Sequence, residues 1–208
     1  MYIYIIDDDD AVRESTQLLI QSSDLTATIK TFSSGEEFLS ADLLSTTGCV
    51  LLDIRMPGMN GVEVLKRIKE EQSDLTVIMI SGHGDIPKAV ETMKAGAYSF
   101  IEKPFSDTEI INVVTEGLEV SQKSHVKAEL KHKAEATISK LTPREKEVLD
   151  KLVEGLLNKV IAYELGISTR TVEVHRARIM EKLEVKSLPE MVRLYFLAGT
   201  GDPSLAPV

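Results

Sequence analysis

Cysteine is almost absent: Cys49 is the only one in 208 residues. A lone cysteine cannot close an intramolecular disulfide and supplies no thiolate cage for a metal, so a reducing cytoplasm is the expected setting. Long apolar runs are missing too. No stretch approaches the roughly 18 residues that a membrane span needs. The first ten residues, MYIYIIDDDD, lack the basic segment of a secretory leader, so none is expected. No internal repeat is present. What remains, 43% hydrophobic and 27% charged residues, suits one large or two small globular domains and excludes a disordered or fibrous chain.

Positive charge is short overall. The net charge of −9 argues against nucleic-acid binding if it is evenly spread, and it is not. Residues 1–120 hold 21 acidic against 9 basic residues, a net of −12; residues 121–208 hold 12 against 15, a net of +3. An acidic module followed by a basic one points to two units with different partners.

In the first 120 residues, short apolar runs at 2–6, 27–32, 49–52, 76–80 and 98–101 alternate with helical patterns at 12–22, 36–44, 61–71, 87–95 and 107 to about 120. Several runs are continuously apolar, as strands covered on both faces are. Five such units predict an α/β doubly wound, five-stranded parallel sheet. Residues 121–139 are polar, lysine-rich and free of glycine and proline; they extend the preceding helix or form a flexible linker, and their alanines and lysines favour the helix. Residues 140–198 carry only helical patterns, an all-α second domain. Thr142, Pro143 and Glu145 read as the N-cap, first-turn proline and capping-box glutamate of its first helix. Residues 199–208 have no periodicity and are expected to be disordered.

Ligands of a doubly wound sheet bind beyond the carboxyl ends of its strands. Asp7 and Asp8 follow the first strand, Asp53 ends the third, Ser81 ends the fourth and Lys103 closes the fifth. Clustered carboxylates need a cation, and hard oxygen ligands suit Mg²⁺ held together with waters and a phosphate. A carboxylate beside such an ion can act as a nucleophile and form an aspartyl phosphate, its charge met by lysine and hydroxyl donors. The plainer alternative for the DDDD run is a solvated turn feeding a helix, with Asp10 as the cap and Asp9 favouring the dipole. That alternative leaves Asp53, Ser81 and Lys103 at matching strand ends without a reason.

Asp7-Asp8, VLLDIRMPGMNG around Asp53, Ser81 and the Lys103-Pro104 pair resemble the receiver domain of bacterial two-component response regulators, over residues 1 to about 120. The resemblance implies a flavodoxin-like fold in which Asp53 accepts a phosphoryl group from a sensor histidine kinase. It implies Mg²⁺, or another divalent cation, on the side chains of Asp8 and Asp53 and the carbonyl of Arg55, with Asp7 one layer behind. Ser81 is then the switch hydroxyl, Lys103 the partner of the phosphate, and Phe100 an aromatic switch, a core residue, or both. A cis bond before Pro104 is also implied. Residues 82–87, GHGDIP, read as a movable segment because two glycines flank His83, which has no second soft ligand nearby to build a metal site.

In the second module, helical patterns at 159–165 and 169–183 flank Gly166-Ile167-Ser168, a helix-turn-helix spacing in which Ser168 or Thr169 can cap the second helix. At 100° per residue, Val172, Ile179, Met180 and Leu183 share an inward face. Arg170, Glu173, Val174, Ala177, Arg178 and Glu181 lie opposite, and donors, an acceptor and small apolar groups there suit direct readout in the major groove. Thr169 and Thr171 open that helix, and Asn158 and Lys159 open the one before it, placed to hold the DNA backbone. Arg176 lies near the inward stripe and serves either the fold or a phosphate; His175 reads as a packed histidine. A dimerisation bundle with a solvated charged face is the alternative.

LTPREKEVL, GLLNKVIA, LGIS and TVEVH resemble the LuxR-type helix-turn-helix, and behind a receiver they resemble the NarL/FixJ family, with GHGDIP and IEKPF favouring its FixJ branch. The resemblance implies promoter DNA, a palindromic site, RNA polymerase and a second copy of the chain as partners. It implies pairing of the last helix, about 187–197, through Leu188, Met191, Val192 and Phe196, which otherwise pass as core. Glu173 stands where many relatives carry lysine, so the operator sequence does not carry over. No enzymatic activity is implied beyond receiving and hydrolysing its own aspartyl phosphate. Two other classes stay open: an Mg²⁺-dependent phosphotransferase or phosphatase using Asp53, and a receiver with a protein-binding output domain.

Overall fold

A computed structural model describes residues 1–82 and 86–199 of the chain. His83 and the core of the GHGDIP segment, and the tail from Thr200, lie outside the described residues. The chain divides into two compact units, the first Met1–Val126 and the second beginning at Lys127.

The first unit alternates strands and helices: β1 Tyr2–Ile6, α1 Asp10–Gln21, β2 Thr28–Phe32, α2 Gly35–Ser40, β3 Gly48–Asp53, α3 Gly61–Glu70, β4 Thr76–Ser81, α4 Ile86–Lys94, β5 Ser99–Glu102, and then α5 Asp107–Ser139. All strand pairs are parallel, in the order β2-β1-β3-β4-β5. The order reverses at β1, between β2 and β3, so the crevice of this sheet opens where β1 and β3 end. β3 and β4 are buried along their whole length, which is why their sequences are apolar without alternation. Helices cover both faces. Tyr4, Phe38, Val50 and Leu65 anchor one core layer, and Ile3, Leu51, Ile78 and Val114 the other. Cys49 lies in the second layer, fully buried, and burial pushes its thiol well above the usual range, so it packs as a small apolar side chain.

One local expectation needs correction. Asp9, not Asp10, caps α1: its carboxylate accepts from the N–H groups of Ala11 and Val12, while Asp10 sits in the first turn and pairs with Arg13. The helix starts at Asp10, two residues before its apolar pattern, so the cap moves back to Asp9. The helical reading of residues 121–139 holds: α5 runs on from the first unit's last helical pattern to Ser139. Ser121 is fully buried, accepts from Gly48 N (2.9 Å) and donates to the Asp74 carbonyl (2.7 Å); Ser124 and His125 bond the Asp74 carboxylate. These polar partners carry the helix along the first unit to Val126.

The second unit contains the end of α5 and then α6 Pro143–Val153, α7 Asn158–Glu164, α8 Thr169–Lys182 and α9 Leu188–Leu197. The residues read as linker contribute to its core: Ala134 and Ile138 pack with Val148, Leu152, Ile161, Val172 and Ile179. Helix α6 opens with the expected box, Thr142 and Glu145 each bonding the other's backbone, with Pro143 in the first turn. Glu145 is 3% exposed and accepts from Lys182 Nζ of α8 at 2.7 Å. The Lys182 hydrogen bond, helped by Thr142, outweighs burial and lowers its acid from an ordinary 4.5 to about 2. Its stabilising contribution is therefore complete above pH 4.5 and is lost as pH falls through about 2. Glu145→Gln is expected to cost about 2 kcal/mol in urea unfolding at pH 7. That deficit should narrow steadily below pH 4.5; an equal deficit at every pH contradicts the ion pair's role. Among the described residues no helix is long and apolar enough to cross a membrane.

Candidate functional site

At the reversal point, β1 and β3 run side by side and deliver Asp7 and Asp53, 4% and 6% exposed, to the same crevice. Lys103, just past β5, reaches back between them: Nζ donates to Asp7 Oδ2 at 2.7 Å and to Asp53 Oδ1 at 2.6 Å. Asp53 Oδ2 accepts from the Arg55 N–H at 2.6 Å, and Asp7 Oδ1 accepts from the Asp9 N–H at 3.0 Å. Ser81, 1% exposed at the end of β4, has its carbonyl bonded by the Lys103 N–H at 2.7 Å. The peptide bond between Lys103 and Pro104 is cis.

Two buried carboxylates thus share one ammonium. Burial pushes the Asp53 acid up, and nearby Asp7 adds to this, against the opposing pull of Lys103. For Lys103, burial opposes the charge, but hydrogen bonds to Asp53 and Asp7 outweigh it and hold the ammonium above its usual range. Both directions describe a pocket short of positive charge. Asp8 does not join this network; it is exposed beyond the end of β1. Among the described residues no three carboxylate, histidine or cysteine side chains converge as a metal site, because Lys103 occupies the space between Asp7 and Asp53. The donors available to a hard divalent ion are the Asp53 and Asp8 carboxylates, the Arg55 carbonyl and water. That set suits Mg²⁺, which takes one or two carboxylates and keeps several waters.

The loop after Asp53 is held by features with no sequence signal at short range. Gly61, first residue of α3, has no room for a side chain: a Cβ there would meet the Asp53 carbonyl at 2.2 Å, so only glycine lets α3 start this close to the site. Glu36 of α2 accepts from the Met59 N–H at 2.8 Å, and Gly58 beside it has φ +75°. Arg13 of α1 donates to the Asp7 carbonyl at 2.7 Å. Neither Glu36 nor Arg13 is among the expected site residues. Phe100 is partly buried against the core and pairs with Met79 in the sheet.

In the second unit, α7 and α8 form the expected helix pair, with Ser168 capping α8 through the Thr171 N–H. Val172, Ile179 and Leu183 are buried and Met180 packs against them. Thr169, Arg170, Glu173, Val174, Ala177, Arg178 and Glu181 are exposed together with Lys159. Thr171 is half-buried and hydrogen-bonded to the Ser168 hydroxyl (2.8 Å), so it serves the cap. Asn158 is half-buried and accepts from Arg176 Nη1 at 2.7 Å. On α9, Leu188 is exposed and Val192 and Phe196 partly so. Met191 is a correction: at 1% exposure it belongs to the unit's own core and offers a partner no surface.

The family model described as "Response regulator receiver domain" matches residues 3–115, and that of "Bacterial regulatory proteins, luxR family" matches residues 139–195. The chain is 47% identical over 197 residues to the transcriptional regulatory protein FixJ of Azorhizobium caulinodans, covering 95% of this chain and 92% of that one. It is 41% identical to the response regulator protein TodT of Pseudomonas putida, over 92% and 84% of the two chains. Among solved structures, the response regulator StyR matches with a TM-score of 0.82 at 38% identity, over 94% of this chain and 98% of that one. Full-length FixJ from B. japonicum matches with a TM-score of 0.57 at 40% identity, over 97% and 98%. These relatives are named as a transcriptional regulatory protein and a response regulator protein. With a parallel sheet presenting Asp53 and Lys103, and a helix-turn-helix whose outer face exposes Arg170 and Arg178 beside Glu173 and Glu181, the chain belongs to the two-component response regulators of the NarL/FixJ family: a receiver domain joined to a LuxR-type DNA-binding domain.

Proposed function

We propose that Asp53 receives a phosphoryl group from the phosphohistidine of a sensor histidine kinase, and that this switches DNA binding by the second domain. The observation that carries it is the Asp53–Lys103–Asp7 arrangement: a carboxylate whose charge is poorly compensated, with an ammonium already in place to follow added negative charge. In the transfer, an Asp53 carboxylate oxygen bonds to phosphorus, the phosphorus–nitrogen bond breaks, and the departing imidazole takes a proton from solvent. Asp8, Asp53 and the Arg55 carbonyl, with Asp7 behind, would hold Mg²⁺, and that ion would supply charge stabilisation for the phosphoryl oxygens. Lys103 keeps its contact with the new dianion, and attack by water returns Asp53 and inorganic phosphate.

The added charge offers the Ser81 hydroxyl a stronger acceptor than the Gly82 carbonyl it contacts at 3.3 Å. Phe100, on the strand beside it, follows Ser81 and alters the surface of α4 and β5. Val90 and Met93, 51% and 47% exposed on α4, give that surface apolar area for a second copy. In the second domain, Lys159, Asn158, Thr169 and Arg178 hold the backbone of promoter DNA while Arg170, Glu173, Val174 and Ala177 face the bases. Leu188, Val192 and Phe196 of α9 meet their copies on a palindromic site, within reach of RNA polymerase. A cytoplasmic location follows from these partners.

The test is a salt series of DNA binding. Replacing Arg170 and Arg178 together by alanine is expected to weaken binding at least tenfold and, since Arg178 is the one placed on the backbone, to lower the slope of log K against log salt by about one. An unchanged slope rules out this face.

A further inference from the structure

The chemistry of the bond between Arg176 and Asn158 fixes its direction. It joins the middle of α8 to the first residue of α7 at 2.7 Å. A guanidinium has only donors, so the Asn158 atom facing it is the carbonyl oxygen, and the amide's two N–H groups face the other way. Both side chains are half-buried, and Lys159 and Arg170 nearby in the helix pair are exposed. Leu157, the residue before α7, offers no side-chain cap, so this bond is what ties the start of α7 to the reading helix.

We propose that Arg176 is a positioning residue for DNA: it fixes the Asn158 amide so that Nδ2 donates to a phosphodiester oxygen of the backbone, while Arg176 itself does not neutralise a phosphate. This rests on α7 and α8 being the DNA face and adds a division of labour between two residues. A neutral amide releases no counterion, whereas an arginine on a phosphate does. The two roles therefore separate in salt dependence as well as in affinity.

The experiment uses the full chain and a mixed-sequence DNA duplex, since a backbone contact is independent of sequence. Variants Arg176→Met, Asn158→Ala, the double variant and Asn158→Asp are compared by fluorescence anisotropy across salt, with thermal melts alongside. Arg176→Met is expected to weaken binding about tenfold with the salt slope retained, and to add little on top of Asn158→Ala. Asn158→Asp, which gives Arg176 a full ion pair, is expected to melt no lower than the wild type yet bind worse than Asn158→Ala. A slope that falls by about one in Arg176→Met, effects that multiply in the double variant, or unchanged binding in Asn158→Ala each overturns the proposal. Loss of binding in the Arg170/Arg178 variant together with any of these overturns it alone; full binding in that variant removes the DNA face itself.

Discussion

Asp53→Asn is expected to abolish incorporation of phosphate from acetyl phosphate, by about a hundredfold or more, without weakening the fold. The nucleophile is gone, since an amide oxygen is too poor to form the acyl phosphate. The stability part follows from the sign of the Asp53 shift. Burial raises its acid above the usual carboxylate range, so the ionised form opposes folding, and that opposition sets in as pH rises through the ordinary value toward the raised one. A neutral isostere removes it, and an asparagine oxygen still accepts from Lys103. At pH 7 the variant should melt at or above the wild-type temperature. Phosphate found on another residue by mass spectrometry, at the wild-type level, would falsify the assignment.

Lys103→Met is expected to have the opposite profile. It removes a cation that pairs with both Asp7 and Asp53, leaving two buried carboxylates without it. Breaking a buried ion pair from one side costs about 3–5 kcal/mol, most of it from the uncompensated charge left behind. Lys103 is partly exposed, so the lower figure is expected, about 3 kcal/mol at pH 7. The direction with pH is fixed by the same reasoning. Without Lys103 its downward pull on Asp53 is gone and that acid rises further, so the deficit is full at neutral pH and shrinks as Asp53 is protonated. Adding Asp53→Asn to Lys103→Met should restore most of the lost stability and none of the phosphorylation. A Lys103→Met protein as stable as the wild type at pH 7 would show that Asp7 and Asp53 do not need this cation.

The convergence of Asp7, Asp53, Ser81 and Lys103 was legible because parallel sheets place strand ends in one crevice, and each of these residues ends an apolar run. The capping of α1 was less so: four consecutive aspartates offer equivalent caps, and only the helix's true start selects Asp9. Glu36 and Arg13 left no trace because their bonds reach distant backbone atoms, and pattern has no means of pairing Glu36 with Met59. The reach of α5 was legible in the alanines and lysines after Val120, but what holds it against the first unit was not. Ser121 reads as surface until Gly48 and Asp74 are seen to satisfy it. Met191 shows the limit of an apolar stripe, which says that a face is covered but not whether by the same chain or a second copy.

The most direct measurement of the central claim is the affinity of the full chain for promoter DNA, captured from its own genome, with and without acetyl phosphate and Mg²⁺. The predicted result is a rise of about tenfold or more on phosphorylation in the wild type, within the usual range of coupling energies, and none in Asp53→Asn. Equal affinity in the two states of a fully phosphorylated and an unphosphorylated wild-type sample contradicts it.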